Sequence, residues 1–557
     1  MYKARQYFVF FSIMTFILFL FCRLYYLQVF NFDKFSRLAS EQHNTVVEIM
    51  PLRGIICDRN MEPLAVNLDI PSVYSNSRNI EDKDKEYTAR VLSDVLDIDN
   101  DVLLDKLKRD KSFVWLKRKI DNNTAQEIKN LKLKGIHFSN ESKRYYSNDN
   151  RACHVIGFVG MDNEGLEGIE LEFADKLKGE PGYRHLIRDA KKKTVFFNEK
   201  DSLPPQNGYN IVLTIDSVVQ YIAGEELKLA VGQFNAAGGS VVVMEPFSGR
   251  ILALANYPDY NLNDLKTASQ DIVKNKAIAS VYEPGSVFKI VTASAVLNEA
   301  LVNLDDEFFC ENGCYKTRGR VLHDVHGYKT LTFREVIGKS SNIGTVKAAS
   351  KLGSAKLYSY IERFGFGEKT GVTLPGEVIG ISRPFSQWSR SDMTTIPIGQ
   401  GIAVTPIQLV NAVSVIANGG YLMKPYIVEK MTTWDNGLYR AYKPVALRHV
   451  ISRETSQKMK DVLRYVVTSA TGRRAESDLY EMCGKTGTAQ MVNSEGGYYK
   501  NKHDATFVGF APMDKPLISV VVTIYDPHPI YSGGKVAAPV FKNIAERVLQ
   551  YINSNNG

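Results

Sequence analysis

The sequence predicts an α+β fold carried behind a single apolar N-terminal helix. Three observations lead there. Residues 7–29 are almost continuously apolar. A break at Pro204-Pro205-Gln206-Asn207-Gly208 separates a mixed, loop-rich region from a more regular one. In the second region strand-like runs stand at both ends and helical runs in the middle, the pattern of an antiparallel sheet assembled from distant segments and flanked by helices. The layout expected is a tail over 1–6, a membrane helix over 7–29, a first folded region over 30–205 and a second over 206–557. A chain of 557 residues favours more than one domain. With 44% hydrophobic and 23% charged residues it is globular, which excludes a disordered chain. The net charge of +8 is spread without a dense basic block, so mild attraction to anionic surfaces is expected and nucleic-acid binding is not.

Tyr7 to Cys22 is nearly all apolar, and Leu24 to Val29 continues the run after Arg23. About twenty such residues cross a bilayer. Arg23 stands near one end, where it can snorkel to the headgroups. Lys3 and Arg5 flank the other end and should keep the N-terminus in the cytoplasm. The alternative is a cleaved signal peptide, but Val29-Phe30-Asn31-Phe32 is bulky where cleavage needs small residues. An uncleaved anchor is expected, with everything after residue 30 outside the cytoplasmic membrane.

In the first folded region, Arg53-Gly54-Ile55-Ile56-Cys57-Asp58-Arg59-Asn60 has a strand-like centre and turn residues at its end. Thr124-Ala125-Gln126-Glu127 reads as a capping box opening a short helix. Glycines 157, 160, 165, 168, 179 and 182, with Glu167 and Glu170 among them, predict loops and tight crossings. They do not make a phosphate cradle, because no strand-to-helix turn holds them in the required order. After the break, Asp216 is placed to cap a helix to about Val231. Ser240–Glu245 and Ile251–Asn256 are strand candidates joined as a hairpin by Pro246-Phe247-Ser248-Gly249. One helical pattern follows Glu283, and another spans about Thr332 to Leu352. Strand candidates lie at Met482–Met491, Ala505–Ala511 and Ile518–Tyr525, and a closing helix runs from about Ala538 to Ile552. Gly399-Gln400-Gly401 contains a G-x-G but reads as a structural loop near the sheet.

The six cysteines do not make a disulfide scaffold. Cys22 lies in the anchor, and Cys57, Cys153 and Cys483 are scattered. Cys310 and Cys314 are compatible with a bridge in an oxidising compartment, with a loose metal cluster including His323 and His326, or with free thiols. The Cys/His spacings miss the usual zinc-finger pattern.

The chemistry centres on Glu283-Pro284-Gly285-Ser286-Val287-Phe288-Lys289. Pro284 and Gly285 make a turn, and the apolar run after it predicts a buried helix with Ser286 at its start. Free N–H groups there favour negative charge developing on the serine oxygen. Lys289 lies one turn on, and burial should depress its pKa until it can act as a base. S-x-x-K alone is common, because serines cap helices. Ser340-Ser341-Asn342 follows 54 residues later in a helical region, and Lys485-Thr486-Gly487-Thr488 later still on a strand. S-x-x-K, S-x-N and K-T-G in that order form a specific pattern. Ser286 suits a nucleophile, Lys289 its base, Ser340 a proton relay and Asn342 a partner for a peptide main chain. Lys485 supplies positive charge, and Gly487, between Thr486 and Thr488, leaves room for a substrate strand beside the sheet edge. Backbone N–H groups at Ser286 and near Thr488 suit an oxyanion hole.

With these motifs the chain resembles the class B penicillin-binding proteins over nearly its whole length. Arg53–Asn60 and Gly165-Leu166-Glu167-Gly168-Ile169-Glu170 resemble motifs of that class's non-catalytic pedestal, and they separate it from class A. Gly249–Pro258, Phe364–Gly367 and Ile398–Pro406 are similar to the cell-division type. The resemblance implies a pedestal or dimerisation-like domain over 30–205 and a serine β-lactamase-like transpeptidase domain over 206–557. It implies a D,D-transpeptidase that cross-links stem peptides ending in D-alanyl-D-alanine through an acyl-enzyme on Ser286, without metal or organic cofactor. It further implies β-lactams as covalent inhibitors, a site at the division septum, and partners in a membrane-embedded glycan polymerase and divisome proteins. Rival readings are an elongation- or sporulation-type paralogue, a D,D-carboxypeptidase or β-lactamase, and a catalytically idle scaffold.

Overall fold

The computed structural model describes residues 2–188, 194–317, 320–389, 391–493 and 496–555. The chain divides into two compact units. The first comprises residues up to Arg53 together with Lys178–Gly208. It opens with a helix over Tyr2–Tyr25 that continues as a π-helical turn over Tyr26–Phe30. The whole apolar stretch Tyr2–Phe30 is 29 residues, longer than the 7–29 expected, and none of it is buried. At 1.5 Å per residue that is more than a ~30 Å hydrocarbon core requires. Behind it, strand Asn44–Ile49 pairs antiparallel with Gly182–Arg188, which pairs in turn with Thr194–Leu203.

The second unit holds Gly54–Leu177 and Tyr209–Gly557. In its first part, strand Pro63–Ser75 pairs along its length with Ile136–Tyr146. Helices Asp82–Leu96, Asn100–Lys108 and Asn122–Asn130 pack around Leu92, Leu96, Leu103, Leu107 and Ile128. The cap of the last helix is Asp121 and not a box at Thr124: its carboxylate accepts from Thr124 N at 2.9 Å and from Thr124 Oγ1 at 2.6 Å. An aspartate one turn upstream captures the orphan N–H that the capping box assigned to threonine. The glycine-rich stretch is a tight crossing, as expected. A Cβ on Gly157 would lie 1.8 Å from Glu167 O. Beside it Arg144 Nε donates to Glu170 at 2.6 Å, with both side chains out of solvent.

The remainder is a sheet covered on both faces. Helix α1 (Ser217–Gln233) is capped by Asp216, which accepts from Val218 N and Val219 N. Strands β1 (Gly238–Met244) and β2 (Ile251–Tyr257) form the expected hairpin. Helix α2 (Lys289–Asn298) follows the serine turn. The single helix expected over Thr332–Leu352 is two, α3 (Phe333–Gly338) and α4 (Asn342–Leu352), broken at Lys339-Ser340-Ser341. Ser340 has φ of +61° there, a left-handed conformation no helix carries through. Helix α5 (Pro406–Ala417) is buried along its whole length, and α6 (Arg453–Ser469) is amphipathic. Strands β3 (Cys483–Val492), β4 (Tyr498–Ala511) and β5 (Ile518–Tyr525) follow. Helix α7 (Gly533–Asn555) starts five residues earlier than expected and runs through Pro539. Pro539 lies in the second turn, where it forfeits one intrahelical bond without ending the helix.

The strand order is β2-β1-β5-β4-β3, all antiparallel. Alternate side chains go to opposite faces. Val241, Val243, Val520 and Val522 pack with α1 and α7, while Val242, Met244, Val508 and Val521 pack with α2 and α5. Because both faces are covered, β1, β2 and β5 read as largely apolar runs. β3 is left at the sheet edge, and K-T-G lies on it.

Candidate active site

Ser286 sits in a 3-10 turn over Gly285–Phe288, and α2 begins at Lys289. The expected α-helical start is therefore a tighter turn, with Gly285 at φ +51°. Its support is the loop after Ile398. Gly285 N donates to Gly399 O at 3.1 Å. A Cβ on Gly399 (φ +82°) would lie 2.1 Å from Gly285 O, so only glycine lets the two backbones cross. Glu283 ties the same loop down. Its carboxylate accepts from Gly401 N at 2.7 Å and from Tyr498 Oη at 3.0 Å, and burial raises its pKa.

Lys289 is fully buried. It donates to Ser340 O at 2.6 Å, to Asn342 Oδ1 at 2.8 Å and to Ser340 Oγ at 3.2 Å. Burial, and then the charge of Lys485, hold its pKa well below the usual lysine range; Asp324 opposes them. Lys485, equally buried, donates to Thr486 O at 3.0 Å and to Ser340 Oγ at 3.1 Å. Burial draws its pKa down to about 7. One hydroxyl thus stands between two lysines whose pKa values burial lowers. A lysine held neutral can accept a proton near neutral pH, and a hydroxyl between two amines can pass one on.

The helix break puts Ser340 there. Asp324 holds it open from outside: its carboxylate accepts from Asn342 N at 2.5 Å, from Ser341 Oγ at 2.6 Å and from Ile343 N at 3.1 Å. Ser341 in turn caps α4 through Gly344 N at 3.0 Å. The Asn342 amide also donates to His323 O at 2.9 Å, which leaves one of its two N–H bonds for a ligand.

On β3, Thr486 Oγ1 bonds Thr471 Oγ1 at 3.0 Å, and Thr488 Oγ1 accepts from Gly533 N at 3.0 Å. The space a side chain at Gly487 would need is filled by the serine turn: an added Cβ would lie 2.6 Å from Val287 Cγ2 and 3.0 Å from Pro284 O. Ser286, Ser340, Asn342, Thr486, Gly487 and Thr488 together line one cleft of about 810 Å³, with the lysines Lys289 and Lys485 buried at its base. Glu283, Asp324 and Thr471 were not singled out by sequence, and Gly399 was read only as part of a structural loop. The Glu283-Pro284-Gly285 turn was the one local hint among them. Cys310 is buried against Ser341 Oγ and Cys314 is exposed; both are free thiols. No group of three or more metal-ligating side chains is gathered among the described residues.

Residues 239–546 match the penicillin binding protein transpeptidase domain, and residues 48–213 match the penicillin-binding protein dimerisation domain. Stage V sporulation protein D of Bacillus subtilis is 38% identical over 530 residues, covering 94% of this chain and 82% of that one. The peptidoglycan D,D-transpeptidase FtsI of Escherichia coli is 32% identical over 541 residues, covering 96% and 90%. Among solved structures, penicillin binding protein 3 of Mycobacterium tuberculosis complexed with aztreonam is similar with a TM-score of 0.72 at 27% identity, covering 91% and 97%. A peptidoglycan synthetase from Bifidobacterium adolescentis gives 0.74 at 26%, covering 92% and 97%. With both domain matches, in order, behind one apolar helix, the chain belongs to the class B penicillin-binding proteins and carries their transpeptidase domain.

Proposed function

We propose that this protein is a peptidoglycan D,D-transpeptidase of septal wall synthesis and that Ser286 is its nucleophile. The observation that carries the mechanism is the Ser340 hydroxyl shared by two buried lysines. Neutral Lys289 takes the proton of Ser286 as Oγ attacks the penultimate D-alanine carbonyl. Backbone N–H groups of Ser286 and Thr488 hold the oxyanion, a role in which each donor is typically worth 10²- to 10³-fold in rate. Ser340 passes a proton to the departing amine, and the terminal D-alanine leaves. Lys485, with Thr486 and Thr488, receives the terminal carboxylate, whose charge favours the protonated lysine. Asn342 offers its remaining N–H to the donor main chain, which lies along the open edge of β3 beside Gly487. An amine from a second stem peptide then resolves the ester. β-Lactams, acting as donor mimics, acylate Ser286.

The domain roles belong to the same proposal: residues 7–29 cross the membrane with 1–6 inside, 30–205 form the pedestal and 206–557 carry the chemistry. The anchor helix is the proposed contact for a glycan polymerase and divisome partners in the membrane. The similarity to FtsI supports the septal assignment, and the similarity to a stage V sporulation protein supports a second, sporulation-type reading.

Labelling with fluorescent penicillin, read after denaturation, tests the chemistry. A stable band in the wild type that disappears in Ser286→Ala and Lys289→Ala is expected. A folded wild type that neither labels nor turns over a stem peptide would refute it. Depletion separates the two biological readings: filaments support the septal role, while normal division with failed spores supports the other.

A further inference from the structure

The apolar N-terminal helix passes into the next helix without a linker. Its far end carries Arg23, Tyr25, Tyr26 and Phe30, with the Arg23 guanidinium 5.6 Å from the centre of the Tyr26 ring and the Tyr25 and Phe30 rings 6.0 Å apart. Aromatic rings beside a snorkelling arginine mark headgroup level in a membrane span. Asn31 closes this helix and opens the next. Its backbone N–H and its side-chain amide both donate to Tyr26 O, at 3.1 and 3.2 Å, while its own carbonyl accepts from Phe35 N at 3.0 Å. Helix Phe32–His43 therefore starts one residue beyond Phe30, and strand Asn44–Ile49 follows it directly. Its first two turns have two faces. Phe32, Phe35 and Leu38 recur at i, i+3 and i+6 on one side, with Asp33 and Arg37 on the other. The three apolar side chains stand in solvent, Phe32 exposed by 59%, Phe35 by 47% and Leu38 by 45%.

We infer that this apolar face is seated in lipid headgroups, so that Phe32–His43 is an interfacial helix lying on the outer surface of the bilayer. This rests on the reading above that residues 7–29 cross the membrane. Reach decides what covers the face. One residue of chain spans at most about 3.6 Å, whereas a headgroup layer is about 5–7 Å deep. Phe32 therefore stays within that layer, and Phe35 lies only about 5 Å further along the helix. Asn31, at φ −111° and ψ 14°, leaves helical geometry, so the second helix does not continue the axis of the first. Laid along the surface, it brings Phe32, Phe35 and Leu38 to one depth. The charges fit the same placement. Lys34 stands four residues before Leu38, where its stem covers apolar surface and its ammonium reaches lipid phosphate. Large apolar groups on one face and charges on the other are the composition of a helix that lies in the interface. In water the same face is an uncovered apolar stripe. Strand Asn44–Ile49 then starts from the bilayer surface and not from a free tether.

The test uses the full chain at high dilution in liposomes of phosphatidylethanolamine and phosphatidylglycerol, with the lipid brominated either near the headgroup or at mid-chain. Single tryptophans are introduced as Phe16→Trp, Phe35→Trp, Arg37→Trp and Leu38→Trp. The native Trp115, Trp388 and Trp434 all lie in the second unit, and the wild type gives their background. Phe35→Trp and Leu38→Trp should each lose roughly half of the added emission to the shallow bromine, since such helices sit about 5–10 Å into the headgroup and acyl boundary. Mid-chain bromine should quench them less. Arg37→Trp should respond to aqueous acrylamide and not to bromine, and Phe16→Trp to mid-chain bromine. If Phe35→Trp and Leu38→Trp behave like Arg37→Trp, the face is in water and the inference is overturned, with the span left standing. If they are shielded from bromine and acrylamide alike, protein covers the face, either a second copy or another part of this chain, and the inference is again overturned. If Phe16→Trp escapes mid-chain bromine, the span reading fails and takes this inference with it.

Discussion

Asp324 is the least advertised part of the site, and removing it is the sharpest test of how the site is held. Asp324→Ala deletes three hydrogen bonds to the break between α3 and α4, at 2.5, 2.6 and 3.1 Å. Bonds to a charged acceptor contribute about 1.5–3 kcal/mol each, but the carboxylate is half-exposed and the losses overlap. A helix-capping carboxylate is worth about 0.5–2 kcal/mol. The net cost is therefore about 2–3 kcal/mol, concentrated at Ser340–Asn342. That loosens the acceptors of Lys289, and a displacement of about 1 Å can cost 10²-fold in rate. A second effect has its own sign. Asp324 raises the pKa of Lys289, so its loss lowers that pKa further. Acylation needs Lys289 neutral and rises with pH as the lysine gives up its proton. The acidic limb should then move to lower pH while the plateau falls about 100-fold. The assay is the second-order acylation rate with benzylpenicillin across pH, beside thermal unfolding. A wild-type plateau with an unmoved limb would refute the reasoning.

Three further outcomes are expected. Lys485→Met should abolish stem-peptide turnover yet raise Tm by a few degrees below about pH 7, because the wild type there holds a buried ammonium. Unfolded lysine keeps its proton to about 10.5, so the wild type gains stability as pH rises from one value to the other and the gap closes; a gap that widens with pH would contradict this. Gly399→Ala adds a clash with Gly285 O to the strain of a left-handed alanine and should lower both Tm and penicillin labelling, whereas Gly376→Ala (φ +80°, open space) carries backbone strain of about 1–3 kcal/mol alone. Equal behaviour of the two variants would remove the clamp from the account. Arg144→Ala should cost about 3–5 kcal/mol by removing one partner of a buried ion pair, and Arg144→Met/Glu170→Leu should recover much of it in denaturant unfolding.

The chemistry-bearing residues were the most legible part of the chain, because S-x-x-K, S-x-N and K-T-G are short, local and ordered. The strands of the main sheet were legible too, and most clearly β1, β2 and β5, which burial on both faces leaves as largely apolar runs. Their order was not: β1 lies against β5 across more than 270 residues, and no local pattern encodes that pairing. The break at Ser340 was read as helix because Lys339-Ser340-Ser341 has ordinary helical propensity; what breaks it is Asp324, reaching over from a hairpin in the intervening chain. Asp121 was passed over for the same reason at smaller scale, since Thr124 and Glu127 satisfy a capping pattern that a nearer carboxylate wins. Glu283 and Gly399 work only through each other's segments, more than 100 residues apart, and a single sequence shows nothing of that.

The strand order has a consequence for how the protein comes into being. The hairpin of β1 and β2 is made early, but its neighbour β5 is translated more than 270 residues after β1, and K-T-G enters on β3 shortly before it. Such long-range closure is slow, since loop entropy is lost before contacts compensate. Until β5 and α7 emerge, one flank of β1 lies open and the sheet lacks the helix that packs over it. The nascent chain therefore carries Ser286 and Lys289 without Lys485, inert toward any ester or amide it meets. Competence arrives in one late step, once β3, β5 and α7 have all been made.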